Sequence, residues 1–447
     1  MKVISPNTLS TTDGSFSRSS VGSYFDSTGA MQSAAIDTPR FNYDPSTLEF
    51  QGIMLEPART NILLNSSTLS TQTRTVSNGT YYTLSFYGTG TVTLSGAFSV
   101  AITGTSINTQ TTIGFTTGST SLTLTVTGTV RYANLEQGVG ATSWIATTGT
   151  SATRAADTVT GSGLIWTDVT DSTAAYSSGT TYGLAAKVRY ASKLWESLQA
   201  SNTNHAPDSS PTWWLDLGAD NIHAAFDTTV STVSSSTTSM TFVVKPGSIN
   251  SVALINMQAL IANVALTDPT NGFVYSQIFG LAGGTVYNWY EYFFNNPLLQ
   301  RTQVVATDVP MYTEGLVTIR LTAAPSDIVS VAQIILGNLT TIGGTQYGAK
   351  VGIIDYSKKE TDAFGNTTFV QRAFSKRLTA EVHLANSELN RVQRFLYSIR
   401  AKPSVWIASS DPTFEEALIV YGFYRDFSTD ISYPTVSFCS LEIEGLT

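Results

Sequence analysis

Cysteine is nearly missing from this chain: Cys439 stands alone among 447 residues. That excludes an intrachain disulfide and any zinc site built on several thiolates. Its setting, Val436-Ser437-Phe438-Cys439-Ser440-Leu441, is that of a small buried hydrophobe rather than a reactive thiol. Charge is scarce as well, with 13% of residues charged and a net charge of −8. No basic patch is on hand to neutralise phosphates, so nucleic acid is not an expected partner. The three histidines, His205, His223 and His383, lie far apart and share no metal-ligand spacing with Cys or Asp, so neither metal nor cofactor is expected. No apolar run reaches the length of about eighteen residues that marks a membrane helix. The stretch up to Gly14 lacks the apolar centre of a signal peptide. The chain is therefore expected to be made in the cytoplasm and to leave only as part of something larger.

Hydroxyl groups take the place of charge. Between Asn61 and Val130 the only charged residue is Arg74. Leu122, Leu124 and Val126 occupy alternate positions among threonines, as Phe98, Val100 and Ile102 do nearby. Period two with Thr on the wet side predicts half-buried antiparallel strands. Gly-rich turns at short intervals predict a sandwich or jelly roll. Residues 1–62 instead mix turns with short strands at 22–26 and 50–55, and gather Arg18, Asp26, Asp37, Arg40, Asp44, Glu49, Glu56 and Arg59.

Length allows several domains. Composition places a jelly-roll domain at 1–160, a small Trp-rich module at 175–220, a β-sandwich at 221–347 and an α+β unit at 348–447. In the sandwich, Val252-Ala253-Leu254-Ile255 is a continuous apolar run, and residues 287–294 pack six aromatics into eight positions. In the last unit Leu389, Val392, Phe395, Leu396 and Ile399 recur at helical spacing, with Asn386 or Ser387 as cap and Pro403 as stop. Strands are expected around it at 380–384, 404–408, 417–423 and 435–443. The predicted class is mainly β: serial jelly-roll and β-sandwich domains, a small three-stranded Trp-rich module and a C-terminal α+β domain.

Three tryptophans, Trp195, Trp213 and Trp214, fall within the segment 187–218. A flat indole beside amide donors can stack on the apolar face of a sugar while the amides take its hydroxyls. Trp213 and Trp214, with Asn202 and Asn204, are the candidate carbohydrate contacts, and Trp195 is expected in the core. Alternation sends adjacent rings to opposite faces, and Trp214 is expected to be the one that serves a ligand. No catalytic residue is expected. Glu196 and Asp216 flank the tryptophans and could be the acid and base of a glycosidase, yet carboxylates in such a polar region read as solvated. Gly343-Gly344-Thr345-Gln346-Tyr347-Gly348-Ala349-Lys350 is a turn rather than a phosphate loop, and Asp268 to Asn271 lacks calcium-loop spacing. Asn78-Gly79-Thr80 and Asn338-Leu339-Thr340 match glycan acceptors, a pattern frequent in a Thr-rich chain. Glu56, Arg59, Arg154 and Asp157 are expected to form structural ion pairs, Arg59 with Glu56 or Arg154 with Asp157.

Val188-Arg189-Tyr190, Leu194-Trp195-Glu196-Ser197-Leu198, Asn202-Thr203-Asn204 and Trp213-Trp214 resemble the small carbohydrate-binding modules of chitinases and many phage tail proteins. That resemblance implies an aromatic near the Trp pair stacking on sugar. Pro39-Arg40-Phe41, Glu56-Pro57-Ala58-Arg59-Thr60-Asn61, Asn134-Leu135-Glu136-Gln137-Gly138 and Thr153-Arg154-Ala155-Ala156-Asp157 are similar to a jelly-roll unit recurrent in bacteriophage tail and fibre proteins. The 221–347 sandwich resembles the galactose-binding-like jelly roll. Residues 350–447, with Ile354-Asp355-Tyr356-Ser357 and Leu441-Glu442-Ile443-Glu444-Gly445-Leu446, look like the end of tail-tip proteins from long-tailed phages. Together these likenesses imply a virion structural protein of a phage tail tip or baseplate. It would dock to other tail and baseplate proteins as a homo-oligomer, trimer or ring, and present carbohydrate-binding domains to a host surface glycan. A surface-polysaccharide depolymerase and a head decoration or fibre protein are the alternatives.

Overall fold

The computed structural model describes residues 1–10, 12–281, 300–361, 364, 366–409, 416–431 and 433–446. Among these residues the chain is mainly β, as the alternation predicts, with a large curled antiparallel sheet and one short helix near its C-terminal end. The aromatic run at 287–294 lies outside the described residues.

The Thr-rich region builds a sandwich of two sheets. Gln72–Thr75, Thr91–Gly96, Val100–Thr103 and Ser121–Thr127 form one; Tyr81–Gly88, Ser106–Thr116 and Val130–Gln137 form the other. Val92 lies opposite Val126 and Leu94 opposite Leu124, and both pairs point inward to Leu84, Phe86 and Leu135. On the outer side the hydroxyls of Thr73 and Thr123, and of Thr91 and Thr103, bond across the ladder. Threonine thus serves as both the β-branched strand former and the wet face.

A second sandwich sets the strands Gly163–Thr167, Ser239–Lys245, Leu316–Thr322, Ile261–Asp268 and Gly272–Gly280 against an eleven-stranded sheet. Phe242, Val264 and Ile319 meet Val252, Leu254 and Val331 between the layers. The apolar run at 252–255 is continuous because both faces of its strand are covered. Val252 and Leu254 enter this core, whereas Ala253 and Ile255 enter another on the far side.

The strand Lys2–Pro6 lies inside that large sheet, antiparallel to Ile328–Thr341 on one edge and Ser404–Ile407 on the other. Ile4 faces Leu339 and Val405 across the two ladders. Its neighbour Val3 points to the opposite core, beside Leu378, Trp406 and Leu441. One sheet therefore runs unbroken across the boundary expected at 347/348, and residues 2–6 join it instead of the jelly-roll domain. The hairpin of Phe41–Tyr43 with Phe50–Ile53 lies against the outer face of the five-stranded sheet, and the hairpin of Gly22–Phe25 with Met31–Ala34 lies beside it. Ile53 packs on Val243 and Leu316, its N–H donates to Thr318 Oγ1 at 3.1 Å, and its carbonyl accepts from Thr267 Oγ1 at 2.8 Å. Gly52, at φ +72°, lets the hairpin approach: a Cβ there would stand 2.9 Å from the Ala265 Cβ.

The helix Leu389–Ser398 forms where its periodicity predicts and buries Val392 and Leu396 against the sheet. Its cap differs from expectation. Asn386 and Ser387 sit in a preceding 3-10 turn, Asn386–Glu388, and Glu388 holds the N-cap position without a side-chain cap bond. The Asn386 amide instead donates to the Tyr433 carbonyl at 2.8 Å and accepts from Ser437 Oγ.

One contact ties the N-terminal segment to the start of the second sandwich. His223 Nδ1 lies 2.6 Å from Asp220 Oδ1, and Nε2 lies 3.0 Å from Asp13 Oδ2. Burial disfavours the charged ring, but the hydrogen bonds and charges of Asp220 and then Asp13 outweigh it and raise the pKa. A raised folded-state pKa means the charged clamp contributes fully below the unfolded value of about 6.5 and is lost as pH rises through the higher folded value. Urea unfolding across this window should show stability falling with pH in the native chain, and a flatter profile in His223→Gln. Identical profiles would remove the clamp.

Candidate functional site

The Trp-rich module is a three-stranded sheet of Lys187–Tyr190, Lys193–Ser197 and Trp214–Ala219, beside a short ladder of Thr181–Tyr182 with Asn202–Thr203. Asp216 lies opposite Trp195, and Trp214 lies opposite Ser197. Residues two apart on a strand share a face, so Trp195 and Trp214 look the same way. With Val188 they make the module's core, rimmed by Tyr176, Tyr182 and Tyr190. Trp214 is 2% exposed; its indole N–H donates to the His205 carbonyl at 2.8 Å, and the Tyr182 ring meets it edge-on at 5.3 Å. The indole N–H of Trp195 donates to the Tyr190 carbonyl at 3.0 Å.

The adjacent rings do part, but in the opposite sense to that expected. Trp214 is internal and cannot stack on a ligand, whereas Trp213 is half-buried at the surface. The Trp213 ring lies flat against His205, with centroids 3.8 Å apart and planes 11° from parallel. Asn202 is also internal, its amide donating to Ser197 Oγ at 3.0 Å and to the Trp213 carbonyl at 3.3 Å while Oδ1 meets His205 Nδ1 at 3.0 Å. It is a bracket for the Trp213–His205 stack rather than a sugar contact. Asn204 is exposed, in the left-handed region at φ 58°. Of the four candidates, Trp213 and Asn204 are therefore the ones a ligand could reach. Sequence alone could not have found His205 as the stacking partner, because the ring is brought round by the turn of Pro207–Ser209.

Glu196 lies opposite Leu215, one step from the Trp195–Asp216 pair, so Glu196 and Asp216 project to opposite faces. Each has its own lysine: Lys187 at 3.9 Å from Glu196 and Lys193 at 2.6 Å from Asp216. These two cannot bracket one glycosidic bond. Among the described residues no cluster of three or more His, Cys, Asp or Glu side chains is arranged to hold a metal.

Charged side chains converge instead between the N-terminal hairpins and the jelly roll. Arg40 bridges both acids, Nη1 to Glu56 Oε2 at 2.7 Å and Nη2 to Asp157 Oδ2 at 2.5 Å. Arg154 meets Glu56 at 2.7 Å, and Arg18 meets Asp157 at 3.1 Å. Arg18, Arg40, Arg154 and Asp157 are shut off from water, and the Glu56 side chain is 13% exposed. Backbone and hydroxyl groups meet much of the remaining capacity: Ser143 N–H and Oγ donate to Glu56, and Glu56 N–H donates to Asp157, while Arg40 Nε and Arg154 Nε are buried without a partner among the described residues. Burial acts to raise the Glu56 pKa, but Arg40 and Arg154, aided by Ser143, hold it below the ordinary carboxylate range. Glu56 and Asp157 thus pair as acids, though with partners other than those expected. Arg59 does not join them. It points away and donates to the Val139 carbonyl at 3.3 Å, with no ion pair among the described residues.

No protein-family model matches the chain, and a search of curated proteins finds no significant match.

Two predictions follow from these placements. Asp157→Ala leaves two arginines facing each other without their acid and should lower unfolding free energy by about 3–5 kcal/mol. Arg59→Ala should change it by no more than about 0.5 kcal/mol. Comparable losses in both would contradict the cluster. In the module, Trp195→Ala and Trp214→Ala should each remove about 3–5 kcal/mol, and Trp213→Ala about 1 kcal/mol. Denaturant unfolding followed by tryptophan fluorescence would reverse the assignment of inside and outside if Trp213→Ala proved the most damaging.

Proposed function

We propose that this chain is a structural component of a bacteriophage tail tip or baseplate, docked to neighbouring tail proteins or further copies of itself and carrying a glycan-contacting surface at its Trp-rich module. The observation that carries the docking part is an exposed arm that holds apolar side chains in water, with no core behind it among the described residues. The strand Lys350–Asp355 pairs along one edge with Phe374–Ala385, and the hairpin of Lys358–Thr361 and Thr367–Val370 extends beyond it. Every residue of those two hairpin strands is exposed, and Ile353 and Phe369 are 68% and 73% exposed. Tyr347, Val351 and Phe374 add further exposed apolar surface along the same stretch. A two-stranded hairpin alone in water is marginal at best, and large apolar side chains gathered in water along one stretch favour an interaction site. A neighbour in an assembly would supply the missing layer.

The likeness of the arm's sequence to the end of phage tail-tip proteins supports tail proteins as that neighbour. The jelly-roll likeness around Glu56 and Asp157 supports the same setting. For the glycan part, Trp213 and Asn204 offer a flat ring and an amide at the module's surface, and repetition in a symmetric assembly would strengthen weak single contacts. The depolymerase alternative loses its proposed acid–base pair, because Glu196 and Asp216 project to opposite faces.

Replacing Ile353 and Phe369 together by serine should leave the unfolding midpoint nearly unchanged, since neither supports a core. Incorporation into particles, followed by immunoblotting of purified virions, should collapse. Normal incorporation would sink the docking role, and antibody labelling of the capsid rather than the tail would sink the location.

A further inference from the structure

A cleft of about 300 Å³ opens between the N-terminal hairpins and the jelly roll, on the side of the molecule where Glu56 reaches the surface. That volume is at the small end of ligand pockets. Its walls come from four places in the chain: the hairpin Gly22–Phe25 with Met31–Ala34, the hairpin Phe41–Tyr43 with Phe50–Ile53, the strands Tyr81–Gly88 and Ser106–Thr116, and the loop 141–144. We propose that this cleft binds a neutral saccharide, one hexose-sized unit, between an aromatic wall and a ring of amide and hydroxyl groups.

The lining supplies both halves of sugar recognition. Tyr24, Tyr87 and Trp144 present rings to the cleft, and Phe25 braces Tyr87 edge-on at 5.2 Å. Amides line the same cleft, with Gln110 beside Tyr87 across the ladder. Asn42 is spent within the protein, accepting from Phe25 N–H and donating to Gln51 Oε1 at 2.7 Å, which fixes Gln51 with its own NH₂ uncommitted. The Asn108 and Gln110 side chains and the Tyr87 hydroxyl likewise have no partner among the described residues. A half-enclosed site lined by uncommitted donors and acceptors, with apolar rings beside them, matches a polyol whose faces alternate between C–H and O–H.

Charge selects within that class. Burial, with Asp44 and Glu56 nearby, raises the Tyr87 pKa, so its hydroxyl remains a donor. Glu56 is held ionised by the arginines behind it and presents its exposed side as an acceptor. The arginines are fully buried in that pairing and do not face the cleft as free cations. A uronic acid or phosphate would meet the Glu56 and Asp44 carboxylates, so neutral sugars are favoured over anionic ones.

This site is separate from the Trp213 surface and does not depend on it. The test uses the full chain, with saturation-transfer NMR and calorimetric titration against glucose, galactose, N-acetylglucosamine, their β-linked dimers and glucuronate. At least one neutral sugar should bind, glucuronate more weakly. The double variant Asn108→Ala/Gln110→Ala, which removes rim side chains outside any core, should weaken binding about tenfold or more. Tyr87→Phe, which keeps the ring and drops the hydroxyl, should weaken it less, and Trp213→Ala should leave it unchanged. Absence of binding by every neutral sugar, preference for glucuronate, or full affinity in the double variant would each overturn the assignment. Affinity lost in Trp213→Ala but kept in the double variant would also overturn it while leaving the module's surface as the glycan contact.

Discussion

Burying five charged groups together is tolerable only when each meets an opposite charge and its remaining hydrogen-bond capacity is nearly filled. That constraint governs the N-terminal third of this chain. Arg18 and Arg40 come from the hairpin region, Glu56 from the segment leading into the jelly roll, and Arg154 and Asp157 from the segment leaving it. Arg40 is the hinge of the set, because it alone touches both acids. A shifted docking of hairpins on jelly roll would strand at least one charge without water or partner. The cluster therefore selects one relative placement of the two β-units, to which the edge-on contact of Phe25 with Tyr87 adds.

The same logic of joining recurs with apolar groups at the other end of the molecule. Lys2–Pro6 inserts between two strands that are themselves distant in sequence, and its alternate residues enter two different cores. Both of its edges are used, so neither Ile328–Thr341 nor Ser404–Ile407 is left there with an open ladder. The opposite treatment of the arm at 350–370 is then informative. The strands Lys350–Asp355, Lys358–Thr361 and Thr367–Val370 instead leave Val351, Ile353 and Phe369 facing water, and the docking role proposed above rests on that exposure.

Much of this was legible from residues alone, and what was not has a common cause. The alternation of Leu122, Leu124 and Val126 with threonine, and the helical spacing from Leu389 to Ile399, are local signals that survive folding unchanged. Pairings set by distant chain are invisible to such signals. Nothing near Val3 or Ile4 announces a central strand whose partners lie more than three hundred residues away. Glu56 and Asp157 were legible as ion-pair formers, but not Arg40 as their shared partner, since Arg59 is nearer in sequence and wrong in direction. The tryptophan pair shows the limit sharply. Alternation says that one ring is out; only the register of Trp214 against Ser197 says which.

The cleft and the charge cluster are two sides of one arrangement. Glu56 turns one side to Arg40 and Arg154 and the other to the opening, so whatever holds the hairpins on the jelly roll also fixes the width of the cleft and the position of its carboxylate. Affinity for a small polar ligand depends heavily on how little the protein must reorganise, because each hydroxyl contact adds only a modest net gain over water. A site formed by loose loops would lose much of that gain to ordering. In the proposed site the ordering is completed during folding by ion pairs whose arginines lie away from the cleft, and the rim amides with the exposed part of Glu56 are what is left to meet a ligand.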